Sequence, residues 1–192
     1  LLLFLIGWEL GGLPRLQAAI ANPQNIDAVM LVSSSPCFVV QNDWPYGVDS
    51  QVFEQFAESL KNDFSGTIRR FLSLQVKGSE SGRIILRNLR EKILQQTQPN
   101  ENSLDAGLDI LMQTDLRKQL AKISQPVCWG LGEQDGLVNA ELSRALKLIM
   151  QQVDVKIYDK AGHAPFLSHT DEFVQQLVEF INSKVLTTDS IN

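Results

Sequence analysis

Glu9, Asp135 and His163 each stand in a short polar or glycine-rich loop that follows an apolar run. The loops are Gly7-Trp8-Glu9-Leu10-Gly11-Gly12, Gly132-Glu133-Gln134-Asp135-Gly136 and Asp159-Lys160-Ala161-Gly162-His163-Ala164-Pro165. In parallel sheets, working groups sit on loops at the carboxyl ends of strands. A histidine beside a carboxylate can move a proton, and a strained turn among glycines can present a reactive side chain. Residue 9 holds the place of a nucleophile, yet a carboxylate is already ionised near neutral pH and cannot be activated by deprotonation. Each residue alone has an ordinary explanation. Glycines often follow strands, Asp135-Gly136 is a turn dipeptide, and a loop histidine is commonly solvated. It is their order, each after a strand, that joins them into one candidate site. The other histidine, His169, falls at the start of the last helix and reads as a cap or surface residue.

Such a site needs a frame. Residues 1–6 form a continuous apolar run without polar alternation, which predicts a parallel strand buried on both faces. Residues 27–33 and 127–131 have the same texture, and 153–158 is a fourth strand. A helix over about 12–21 carries Leu13, Leu16, Ala19 and Ile20 at helical spacing, with Pro14 in its first turn and Asn22-Pro23 as its stop. Four helical segments follow, at about 51–62, 65–76, 81–96 and 103–114, with no strand between them. A helix near 140–151 and an amphipathic one over about 171–185, striped by Phe173, Leu177, Phe180 and Ile181, complete the pattern. The order predicts an α/β fold with a parallel sheet. Residues 1–48 and 115–192 form its core, and 49–114 are a helical insertion.

An apolar fraction of 44% and a charged fraction of 20% suit a globular chain with a real core, and a net charge of −5 argues against nucleic-acid binding. Cys37 and Cys128 lack metal or redox spacing and suit a reducing compartment. Six apolar residues cannot span a bilayer. The expectation is a cytoplasmic protein without membrane or nucleic-acid partners, and no cofactor motif stands out. A central strand beginning at residue 1 leads us to expect a further segment before it.

The insertion has its own charge pattern. From Lys61 to Lys92, eight basic residues stand against three acidic ones, a local +5 on a chain of −5. Arg83, Arg87 and Arg90 share one helical face. A basic face on an acidic protein fits an anionic partner, although a solvated face is the plain alternative.

Nucleophile position, acid, histidine is the chain order of the α/β-hydrolase triad, and Gly7-Trp8-Glu9-Leu10-Gly11 has the shape of its G-x-S-x-G elbow with glutamate in the serine slot. The chain resembles the carboxylesterases of that family, and within them the pimeloyl-[acyl-carrier protein] methyl ester esterases of biotin synthesis. The similarity runs over nearly the whole chain. It includes Ser34-Ser35-Pro36-Cys37-Phe38, Asp43-Trp44-Pro45, Phe71-Leu72-Ser73-Leu74-Gln75, Thr114-Asp115-Leu116-Arg117, Asp135-Gly136-Leu137-Val138 and Gly162-His163-Ala164-Pro165-Phe166. The Ser-Ser-Pro-Cys-Phe and Phe-Leu-x-Leu-Gln stretches are the more specific ones.

The resemblance implies a serine at position 9 as nucleophile, His163 as general base, Asp135 orienting it, and the Leu10 N–H as an oxyanion-hole donor. It also implies an acyl pocket lined by Phe71, Leu72, Ser73, Leu74 and Gln75 in a four-helix lid. Acyl carrier protein would be the partner, held by Arg70, Arg83 and Arg87. The departure is Glu9, which on an acyl ester would give an anhydride. The chain is therefore expected to be a poor esterase as it stands. A non-catalytic carrier-binding protein is the second reading. A third is a carboxylate-nucleophile hydrolase for halides or epoxides, where relatives use aspartate.

Overall fold

The computed structural model describes residues 2–75, 84, 86–87, 90–92, 95 and 99–188. Its elements run β1 (Phe4–Trp8), α1 (Gly12–Ala21), β2 (Ala28–Val32), α2 (Ser50–Asn62), α3 (Phe64–Gln75), α4 (Glu101–Gln113), β3 (Val127–Gly132), α5 (Leu142–Ile149), β4 (Val153–Tyr158), α6 (Pro165–Ser168) and α7 (Thr170–Thr188). The chain has the α/β architecture expected from its sequence, with helices on both faces of a parallel sheet.

Every residue of β2 and β3 is buried, as their unbroken apolar sequences require. They form the centre of a four-stranded parallel sheet in the order β1-β2-β3-β4. The register sets Trp8 opposite Val32, Val32 opposite Gly130, and Gly132 opposite Tyr158. The loops leaving β1, β3 and β4 therefore emerge at one edge of the sheet, and these are the loops that carry Glu9, Asp135 and His163.

Successive side chains of β2 alternate between two cores. Val29 and Leu31 face α1, packing with Leu13, Leu16, Ala19 and Trp129. Ala28, Met30 and Val32 face α7, packing with Phe173, Leu177 and Phe180. The stripe read at 173, 177 and 180 is thus the face that covers the sheet.

Ile6 and Trp8 of β1 are 45% and 38% exposed, and β1 pairs only with β2 among the described residues. The third predicted insertion helix, 81–96, lies largely outside the described residues. The other three appear as α2, α3 and α4 within a residue or two of expectation. Asp49 and Asn100 cap α2 and α4 by accepting from the backbone N–H of Gln51 and Asn102. Among the described residues, no helix is long and apolar enough to cross a membrane.

Two stretches quoted for their resemblance, Asp43-Trp44-Pro45 and Thr114-Asp115-Leu116-Arg117, prove to be one cluster. Arg117 donates to Asp115 and Asp43, 2.7 Å from a carboxylate oxygen of each, and its guanidinium lies 5.3 Å from the Trp44 ring centroid. The cluster ties the end of the insertion to the loop after β2. Hydrogen bonds from Arg117 hold both carboxyls below their ordinary range. Because their folded values are depressed, this stabilisation is complete above the ordinary carboxylate pKa and is lost as pH falls through the folded values. We expect Arg117→Ala to lower stability by about 1–2 kcal/mol near pH 7. The gap to the parent should narrow below about pH 4, which urea denaturation at both pH values would show.

Candidate functional site

Glu9 follows β1 directly and opens a single 3-10 turn, Glu9–Gly11, that leads into α1. Its φ is 52°, in the left-handed region that glycine favours. Two glycines make the turn possible. A Cβ on Gly7 would lie 2.7 Å from the Gly11 carbonyl oxygen, and one on Gly12 would lie 2.1 Å from Ser34 Oγ. Gly11, the closing glycine of the five-residue sequence pattern, has open space around it. Gly12 is constrained in its place, because the helix starts there and backs onto the loop after β2. Ser34 Oγ donates to the Glu9 carbonyl at 2.7 Å and locks the turn. Holding a non-glycine residue at this φ costs about 1–3 kcal/mol. Glu9→Gly is accordingly expected to raise Tm by about 2–4 °C for each kcal/mol of strain it relieves, which a calorimetric scan would measure.

Asp135 and His163 meet at the far side of the same edge. The Asp135 carboxylate accepts from the backbone N–H groups of Leu137 and Val138, at 2.8 and 3.0 Å. It faces His163 Nδ1 at 2.9 and 3.0 Å. The two side chains are 0% and 2% exposed. Since an ionised carboxylate only accepts, Nδ1 carries the proton and Nε2 is left with its lone pair. That Nε2 is buried and has no hydrogen-bond partner among the described residues. Trp8 Nε1 donates to the His163 carbonyl at 3.0 Å, and its ring lies 5.6 Å from the imidazole, which braces the histidine from β1.

The close approach of the two loops depends on Gly132, where a Cβ would lie 2.0 Å from the Gly162 carbonyl oxygen. Its place at the end of a strand was the available sequence clue. His169 sits just before α7, where its carbonyl accepts from the Phe173 N–H and its ring pairs with Ser168 Oγ.

Glu9 turns part of its own chemistry inward, since its Oε2 accepts a hydrogen bond from the Leu10 N–H. Burial pushes the carboxyl pKa up. The Leu10 N–H and the nearby His163 act against that shift, and Asp135 adds to it. The Leu10 N–H, which the sequence resemblance implies as an oxyanion-hole donor, is therefore engaged by the Glu9 side chain.

An apolar cavity of about 420 Å³ opens from Glu9 and Leu10 into the space beneath α2, α3 and α4. Phe53 and Phe56 from α2, Ile68 and Phe71 from α3, and Leu108 and Leu111 from α4 line it. Of the residues named from the sequence, Phe71 and Arg70 are on the wall. Leu72 packs instead with Leu86 and Ile68 in a separate small cluster. Ser73 is exposed, and its Oγ donates to the Arg69 carbonyl. Leu74 and Gln75 lie in α3, with side chains outside the described residues. The α2 and α4 wall was not identified from the sequence, although their apolar periodicity was a usable sign.

The arginines also divide. Arg70 donates to Thr67 Oγ1 at 2.9 Å and lies 3.8 Å from Asp63. Arg87 is exposed, whereas Arg83 lies outside the described residues. Arg90, which shares their face by sequence spacing, is tied to α3 by donating to the Arg69 carbonyl and to Ser73 Oγ, at 2.6 and 2.7 Å.

Comparison with known proteins agrees with this geometry. A family model described as the alpha/beta hydrolase fold matches residues 2–170. The chain is 36% identical over 177 residues to a pimeloyl-[acyl-carrier protein] methyl ester esterase of Aliivibrio fischeri (strain MJ11), covering 92% of this chain and 68% of that protein. It is 41% identical over 176 residues to the protein of the same name from Serratia marcescens, covering 92% and 69%. The chain thus spans about two thirds of the length of these relatives. Among solved structures, an esterase from Exiguobacterium antarcticum superposes with a TM-score of 0.83 at 18% identity, covering 92% of this chain and 65% of that one. A bromoperoxidase from Bacillus anthracis superposes with a TM-score of 0.80 at 21% identity, covering 94% and 68%. At those identities the likeness concerns the fold.

Proposed function

The chain belongs to the α/β-hydrolase family and, within it, to the pimeloyl-[acyl-carrier protein] methyl ester esterases; from that premise we propose a carboxylesterase site for the methyl ester of a pimeloyl chain on acyl carrier protein, in biotin synthesis. The observation that carries this reading is the buried Asp135–His163 pair, with Nε2 unpartnered, at the same sheet edge as residue 9 and its apolar cavity. A hydroxyl at position 9 would lose its proton to Nε2 and add to the ester carbonyl. The resulting oxyanion would take the Leu10 N–H, and His163 would return the proton to the departing methoxide. Water would then release the acid by the same steps in reverse order.

Glu9 offers no hydroxyl and engages the Leu10 donor. The acyl-enzyme route accordingly needs serine at position 9. In the chain as it stands, ester hydrolysis is left to water activated by His163, which is slow. The relatives' names support this esterase reading over a non-catalytic carrier-binding protein.

In this reading the apolar cavity holds the acyl chain, with Phe71 on its wall. The basic residues of the insertion, Arg70, Arg83 and Arg87, meet the acidic carrier protein in this reading. In a Glu9→Ser background, Arg87→Glu is expected to raise KM for the carrier-borne ester about fivefold or more. Turnover of a free p-nitrophenyl ester should stay unchanged. An equal effect on both substrates, or on neither, would remove Arg87 from the carrier interface.

A further inference from the structure

We propose that Leu60, Leu104 and Leu108 form a partition that ends the apolar cavity and fixes the longest straight acyl chain that a free ester can lodge there. The inference rests on the esterase reading, since it takes this cavity to be the acyl site.

A second cavity, of about 240 Å³, lies between the last turn of α2 and the first turns of α4, where Lys61, Asn62, Pro99 and Asp105 line it. Leu60, Leu104 and Leu108 line both this space and the 420 Å³ cavity that opens from Glu9 and Leu10. A side chain that touches two spaces is the full thickness of the wall between them. The two cavities are therefore one side chain apart.

Helical spacing puts the wall there. Leu104, Gly107, Leu108 and Leu111 fall at i, i+3, i+4 and i+7, and all four face the first cavity from α4. Gly107 faces the elbow, since a Cβ on it would lie 3.7 Å from Leu10 Cδ1. Leu104 stands about one turn nearer the start of α4, roughly 4.5 Å along the axis. Leu60 arrives from the last turn of α2 and is buried with Leu108 in the main core.

The two sides of the wall differ in chemistry. On the side of residue 9, Phe53, Phe56, Ile68 and Phe71 offer apolar surface. On the other side Lys61 Nζ pairs with Asp105 at 3.3 Å, beside Asn62. A lengthening alkyl chain gains from burial only while it stays within the first cavity. At the partition it meets packed leucines, and beyond them polar groups. The gain per methylene therefore stops at one length instead of fading gradually.

Leu104 is the residue to change. It is half-buried and lies outside the main core cluster that holds Leu60 and Leu108, so the wall can be altered there without opening that core.

The test measures binding to the chain as it stands, by displacement of the neutral dye N-phenyl-1-naphthylamine with methyl esters from butanoate to dodecanoate. Affinity for the parent should rise about fourfold per methylene up to one length and then rise no further. Leu104→Ala should move that length up by about two methylenes, through the space its side chain leaves. Leu104→Phe should move it down. Val52→Ala changes the wall of the first cavity alone and should scale the affinities without moving the limit. A rise that continues to dodecanoate in the parent overturns the proposal. So does a limit indifferent to both Leu104 changes, a limit that Val52→Ala moves as far, or no displacement by any ester. Binding is read without turnover, and fluorophosphonate labelling of residue 9 in Glu9→Ser reports separately on the esterase reading, so the two can fail independently.

Discussion

Replacing Glu9 by serine is expected to raise hydrolysis of p-nitrophenyl butyrate by about 10³-fold or more. Loss of a serine nucleophile from a complete triad costs roughly 10⁶ in kcat. A single oxyanion donor is worth about 10²–10³, so even a site that relies on Leu10 alone keeps a gain of about 10³. The exchange acts twice at one position. It supplies a hydroxyl where His163 Nε2 is unpartnered, and it withdraws the carboxylate that engages the Leu10 N–H. Glu9→Ala separates the two effects, because it frees the donor without adding a nucleophile. Steady-state assays of both variants should therefore place Glu9→Ser far above Glu9→Ala. Equal rates would remove residue 9 from the nucleophile role.

In the Glu9→Ser background, Asp135→Asn should cost about 10³–10⁴ in kcat with little change in KM. Asparagine still accepts from the Leu137 and Val138 N–H groups through its oxygen, so the loop can keep its shape. Its amide then turns a donor towards His163 Nδ1. The imidazole must accept there and carry its proton on Nε2, where it no longer acts as a base. Thermal denaturation should show a small change beside the large kinetic one. A loss below about tenfold would assign Asp135 to the turn rather than to the proton transfer.

Much of the frame is legible in the sequence. A strand buried on both faces has no polar side, which is why β2 and β3 stood out as unbroken apolar runs. Phe173, Leu177 and Phe180 fell at helical spacing because one face of α7 covers the sheet. β1 has the same apolar texture, and its one pairing among the described residues, with β2, leaves Ile6 and Trp8 exposed.

The site divides in the same way. The order of Glu9, Asp135 and His163, each after a strand, is a property of the chain, and parallel pairing makes that order into proximity. Distance, burial and partner are not. Gly132 lets two loops touch through a carbonyl 30 residues away. Gly12 replaces Gly11 as the constrained glycine because Ser34 lies against it. Arg90 is turned from an open cation into a brace on α3. By itself the sequence determined which chemical groups stand at the strand ends, including a carboxylate where a serine was expected. Only the tertiary structure decided that this carboxylate would hold the Leu10 N–H beside a buried, unpartnered imidazole nitrogen. Hydrogen bonding and burial depend on neighbours that folding brings together.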